Sequence, residues 1–107
     1  MREIKFRVWF NDQMTYAPLP NLMSMWKYAD KKINPAIFMQ FTGLKDKNGK
    51  EIYEGDIIRY NFKTKYDNQG FISEVFFDEQ MWLTKEHSLN RINNVEVIGN
   101  IYKDKND

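Results

Sequence analysis

The chain has 107 residues, of which 16 are basic and 15 acidic, for a formal net charge of +1. No domain-wide basic field therefore draws it to nucleic acid or an acidic membrane. It has no cysteine, which excludes disulfides, thiolate metal sites, thiol nucleophiles and iron–sulfur clusters. A single histidine, His87, excludes His-rich metal centres and paired-imidazole acid–base chemistry within one chain.

The length suits one domain with one core, and three Trp, six Tyr and eight Phe supply bulk for it. Residues 4–10 alternate with period two. Ile4, Phe6, Val8 and Phe10 share one face and Lys5, Arg7 and Trp9 the other, which predicts a strand with one buried face. Asn11-Asp12-Gln13 reads as a turn, with Met14–Ala17 as the returning strand. Pro18 and Pro20 interrupt regular structure. After them Leu22, Trp26, Ala29 and Ile33 fall on one helical face, with Met25 beside it. That spacing predicts a short helix over 22–32, with Asn21 as its cap and a Met-rich loop as the alternative. Met23, Met25 and Trp26 read as core, or as an adaptable partner surface.

Asn34-Pro35 ends that stretch. Ala36–Thr42 is predicted as a buried strand, broken by Gly43. Lys45–Lys50 is a turn centred on Asn48-Gly49, a pair suited to positive φ. Gly55 permits a sharp bend, and the Asp56 carboxylate can accept backbone N–H groups there. Ile58, Tyr60 and Phe62 alternate with Arg59 and Asn61 in the next strand. Lys63–Gly70 reads as a polar loop, Phe71–Phe77 and Met81–Thr84 as a hairpin, and Lys85–Asn94 as irregular with one helical turn. Val95–Tyr102 is the last strand, with Gly99 at a bulge or close approach. Lys103–Asp107 is a charged tail. The expected fold is mainly β. A β-rich part over residues 1–42 packs on a small antiparallel SH3-like barrel over 43–102, within one domain.

Four carboxylates crowd the middle of the chain: Asp46, Glu51, Glu54 and Asp56. Converged, they would hold a divalent cation, but their spacing lacks the ligand pattern of a calcium loop. Solvated or capping carboxylates are the expectation, with no metal and no cofactor. Thr42–Lys50 places backbone N–H groups near lysines, yet its glycine spacing fits no phosphate loop. His87 lies between Glu86 and Ser88, where sequence adjacency does not make a triad, and a solvated imidazole is expected. Lys5, Arg7 and Trp9 mix cations with an aromatic ring on one strand face, the combination that holds single-stranded nucleic acid. Arg59, Lys63 and Lys65 would extend that surface.

Three segments together resemble the YopX family of bacteriophage and prophage proteins. They are Met1–Trp9, the long block Met39–Ile57, and Val95–Tyr102, in that order. Residues 11–37 and 61–94 carry little of the likeness, and Phe10 stands where the family usually has Asp. The resemblance implies a largely β, phage-encoded protein in the bacterial cytoplasm and transfers no catalytic residue. Met1–Lys5 is not followed by the apolar stretch of a signal peptide, and no membrane segment is expected.

The expectation is a non-enzymatic accessory protein that binds protein, through self-association or an unknown phage or host partner. Lys5, Arg7 and Trp9 are its candidate contacts. Gly43, Asn48, Gly49, Gly55 and Asp56 are structural turn residues, with no catalytic residue. The alternative is a nucleic-acid-binding module using the Lys5/Arg7/Trp9 face.

Overall fold

The computed structural model describes residues 4–25, 29–30, 35–78 and 81–102. Strands β1 (Phe6–Phe10) and β2 (Gln13–Tyr16) form a hairpin in which Phe10 pairs with Gln13. Its two-residue turn, Asn11-Asp12, holds φ of 53° and 58°. Asn and Asp tolerate the left-handed region, so they suit a turn whose twist matches its strands. Helix α1 (Leu19–Ser24) follows.

The helix starts earlier and ends sooner than the apolar spacing predicts. Pro18 stands at its N-cap position and Pro20 inside its first turn. The N–H groups of that turn have no partner within the helix, so proline fits there and does not break the element. Pro18, not Asn21, marks the start: the Asn21 and Leu22 N–H groups donate to the Pro18 carbonyl, at 2.9 and 3.2 Å. Trp26 and Ile33, half of the predicted helical face, lie outside the described residues.

β3 (Ile37–Lys45) and β4 (Glu51–Tyr53) complete a four-stranded antiparallel sheet in the order β2-β1-β3-β4. The N-terminal sheet thus runs past the expected division at 42/43. Gly43 bends β3 and does not end it. Its φ is 88°, and the register slips between Phe41–Tyr53 and Lys45–Glu51. Thr42 holds this bulge: its hydroxyl donates to the Ile52 carbonyl (2.7 Å) and accepts the Leu44 N–H (3.1 Å).

The C-terminal half is a curled, half-barrel sheet. It is built from β5 (Asp56–Lys63), β6 (Asn68–Glu74) and β9 (Asn93–Asn100) in the order β6-β5-β9. A separate hairpin, β7 (Phe76–Asp78) with β8 (Met81–Leu83), brings Trp82 into its core. Two segments differ from the sequence reading. The polar stretch 63–70 contains a tight hairpin, because the Thr64 hydroxyl gathers the N–H groups of Tyr66 and Asp67 (3.2 and 3.0 Å). The predicted strand 71–77 divides at Val75, whose N–H donates to the Asp56 carbonyl and whose carbonyl accepts the Gly55 N–H, both at 2.9 Å. In β9 the register slips as Ile57 and Ile58 pair with Gly99 and Val97, so the bulge falls where Gly99 predicts it. The helical turn expected within 85–94 is a 3-10 turn at Leu89–Arg91.

Burial is split between two clusters where the length suggests one core. Val8, Phe10 and Leu22 gather on one side of the N-terminal sheet. Ile52, Ile58, Tyr60, Val75, Trp82 and Leu89 form the other cluster, so β4 serves both halves.

Two glycines separate backbone conformation from packing. Both Gly49 (φ +83°) and Gly55 (φ +88°) occupy the left-handed region, but only Gly55 is enclosed, its absent Cβ lying 3.0 Å from the Met39 sulfur. Gly49→Ala is expected to cost about 1 kcal/mol, from backbone strain alone. Gly55→Ala should cost about 2–3 kcal/mol, because the Met39 sulfur must also give way. Urea unfolding midpoints of the two variants, run side by side, test the difference.

Candidate functional site

β1 runs through the N-terminal sheet and, with Lys5 just before it, presents Lys5, Arg7 and Trp9 to the side facing the second half. Pairing puts Tyr16 and Met39 beside Arg7, and Tyr53 beside Phe41, on that same side. Three different things happen along the row.

At Trp9 the chain's far end covers the sheet, with the indole stacked on Tyr102 at 5.6 Å and 18°. At Arg7 the covering element is the Glu54-Gly55-Asp56 turn. The guanidinium is 2% exposed, as is its partner Asp56, and the two form an ion pair at 2.9 Å. Arg7 also donates to the Glu54 carbonyl (3.1 Å), the Tyr16 hydroxyl (3.2 Å) and the Met39 sulfur (3.7 Å). Its cation lies over the Tyr53 ring, 4.7 Å from the centroid. The expectation of a shared, accessible Lys5/Arg7/Trp9 face therefore fails at Arg7. β1 is buried on both faces there, and a cation inside needs its own anion.

At Lys5 the face opens into a groove of about 480 Å³ lined by Lys5, Phe6, Tyr16, Pro18, Glu51 and Tyr53, with Ala17. Lys5 pairs with Glu51 and lies 5.0 Å from the Phe41 ring centre. The Tyr53 hydroxyl donates to Glu51 at 3.3 Å. Burial, then the charge of Glu51, pushes the Tyr53 phenol up to about 12. The groove thus offers a neutral phenol and a compensated ion pair.

The four carboxylates of the middle block go to four different places. Asp46 turns inward. Its Oδ1 accepts the N–H groups of Asn48 (2.8 Å) and Lys50 (2.9 Å), and its Oδ2 accepts that of Val97 on β9 (2.9 Å). Burial works against the charge, but the N–H groups of Val97, Lys50 and Asn48 outweigh it and hold the carboxyl below its usual range. Glu51 pairs with Lys5, and Glu54 faces the Gln40 N–H at 3.4 Å. Asp56 takes Arg7 on one oxygen and the Tyr53 N–H (2.7 Å) on the other. Burial pushes its carboxyl up, and Arg7 and the Tyr53 N–H pull against that. Among the described residues no group of three or more metal-ligating side chains converges. The N–H groups that a phosphate would need are spent as well: Lys47 donates to the Val95 carbonyl (2.8 Å) and Gly49 to that of Asp46 (3.0 Å). Gly43 lies at the β3 bulge, Asn48, Gly49 and Gly55 lie in turns, and Asp56 is the first residue of β5.

His87 is placed differently from the solvated imidazole expected. It stacks on Phe62 (4.1 Å, 21°), meets Phe71 edge-on at 4.8 Å, and has Nδ1 2.8 Å from the Tyr60 hydroxyl. That hydroxyl is also 2.9 Å from Thr84 Oγ1, which accepts the His87 N–H at 3.0 Å. An amphipathic ring needs an apolar bed and one polar contact, and the aromatic stripe of β5 and β6 supplies both. Ser88 is turned to Asn90, away from this network. Of the cations expected to extend the Lys5/Arg7/Trp9 surface, Arg59 pairs with Glu96 at 2.9 Å, beside Lys47 at 3.9 Å.

Sequence reasoning did not single out Tyr16 and Tyr53. Tyr16 ends a hairpin strand whose register fixes it opposite Arg7. That register follows from the Asn11-Asp12 turn and was the available signal.

A family model described as YopX protein matches residues 19–106. The fold is similar to the crystal structure of protein EF1440 from Enterococcus faecalis, with a TM-score of 0.60, 23% identity and 95% of each chain covered. No curated protein matches the chain.

Arg7→Met should lower stability by about 3–5 kcal/mol, since it strands a buried carboxylate. Adding Asp56→Asn to that variant should restore part of the loss, which urea denaturation of the single and double variants measures. Asp46 predicts a pH dependence. Its folded value lies below the ordinary 3.8, so between the two the unfolded chain binds more protons. The stability it contributes is complete above 3.8 and is lost as the pH falls through the folded value. Asp46→Asn should flatten that acid limb in denaturation midpoints recorded against pH.

Proposed function

The chain belongs to the YopX family, and from that membership and the character of its surface we propose a phage-type accessory protein that works by binding protein, chiefly a second copy of itself. The observation that carries this reading is where its apolar side chains are left. Ile72 on β6 is 59% exposed, Phe77 on β7 46% and Met81 on β8 47%. The carboxylates of the middle block are turned inward or bonded, while large apolar groups of the C-terminal half face out. Exposed apolar area of this kind is recovered by association.

The bacterial host cytoplasm fits this reading. Among the described residues no helix is long and apolar enough to cross a membrane. The nucleic-acid alternative loses Arg7 to the interior, while Lys5 is paired with Glu51 and Trp9 is stacked on Tyr102, and it is the weaker reading. The protein-binding role is of a non-enzymatic type, with recognition by strand edges and aromatic side chains.

Static light scattering over a dilution series tests self-association. The expected result is a mass of two or more chains at high concentration, falling toward one on dilution. The mass of a single chain at every concentration would overturn the reading.

A further inference from the structure

The strand edges of the molecule are not equivalent. The outer side of β9 is occupied, because Val95 accepts the Lys47 N–H and Val97 donates to Asp46. β2 is short, at four residues. β6 is different: seven residues pair with β5 in seven consecutive pairs without a register shift, and among the described residues no strand lies on its other side. It contains no proline or lysine and one charged residue, Glu74, so it lacks the usual guards of a free edge.

The phase of the ladder shows which groups point outward. The Thr64 N–H donates to the Asp67 carbonyl at 2.7 Å, and alternate pairs continue that bonding through Phe62–Gln69, Tyr60–Phe71 and Ile58–Ser73. Asn68, Gly70, Ile72 and Glu74 therefore direct their backbone groups away from β5. The Asn68 N–H is taken by the Asp67 side chain (2.8 Å), and the Glu74 carbonyl by the Ser73 hydroxyl (3.1 Å). Gly70 and Ile72, at the middle of the edge, have no backbone partner on that side among the described residues.

We propose that β6 pairs antiparallel with β6 of a second copy, about a two-fold axis at Phe71. In this register Gly70 faces Ile72 of the partner subunit, and the reverse, so both outward-pointing residues of each copy exchange N–H···O bonds with their opposite number. Asn68 falls opposite Glu74 of the partner subunit, and no like charges meet. The side chain of Ile72, 59% exposed in the single chain, lies across a glycine backbone that leaves room for it. The two curled sheets become one six-stranded sheet with β9 at both margins, where the Asp46 turns already cover them. This rests on the self-association reading and names the surface that performs it.

Analytical ultracentrifugation of the full chain and of Ile72→Pro, Ile72→Lys and Met23→Lys tests the pairing, with circular dichroism as the check of folding. Proline at 72 removes an outward N–H and no bond to β5. Lysine sets two cations near each other across the axis. Each should raise the dimer dissociation constant at least tenfold, while Met23→Lys, on the exposed face of α1, leaves it unchanged. Amide exchange gives a second measure: the Gly70 and Ile72 N–H groups should become protected as protein concentration rises. A dimer indifferent to both Ile72 variants, with those amides unprotected, would overturn the β6 pairing and leave self-association standing. A wild-type monomer at every concentration would overturn both.

Discussion

The structure depends on one buried ion pair. Arg7 belongs to the first strand and Asp56 to the start of the fifth, and each is almost wholly shielded from water. Such a pair costs several kcal/mol per ion to desolvate and is retained only where both charges are met by further hydrogen bonds. That condition is largely fulfilled: the guanidinium reaches a carbonyl, a phenol and a thioether, and the carboxylate accepts the Tyr53 N–H. The pair therefore acts as a keying device. It permits the N-terminal sheet to meet the C-terminal sheet at one registration, and only Gly55 allows the turn between them to come so close.

The same logic explains why the middle of the chain is rich in polar residues. Asp46 ties its own turn to β9, Thr42 holds the β3 bulge, and Asp56 begins β5. Each satisfies backbone groups that a turn leaves without partners, the common use of Asp and Thr at such sites. In a segment this committed to joining two sheets, the carboxylates point to separate places and several N–H groups are already bonded within the fold.

Local pattern made most of the strands legible. Period-two alternation located β1 and β5, and Asn48-Gly49 and Gly99 marked a turn and a bulge where the structure has them. The alternation also separated Arg7 from Phe6 and Val8, but it could not say that both faces of β1 would be covered, because the cover is contributed by residues 54–56 and 101–102. His87 was unreadable for the same reason: its polar neighbours in sequence are not its neighbours in space, which are Phe62 and Phe71. The helix was misplaced because proline was read as a breaker, whereas its position within the first turn decides its effect. The hairpin at 63–68 was hidden in a polar run, since a threonine hydroxyl and not an apolar stripe organises it.

The stacking of Trp9 on Tyr102 joins the first strand to the segment that follows the last one. During synthesis the ribosome releases Trp9 long before Tyr102, so β1 waits through that interval without its lid. Closure of the molecule is correspondingly a late, long-range event, of the kind that slows folding through the entropy of bringing distant segments together. The nascent chain holds its aromatic surface open throughout that interval, and completion of the C-terminal strand is what finally takes it out of reach of other chains.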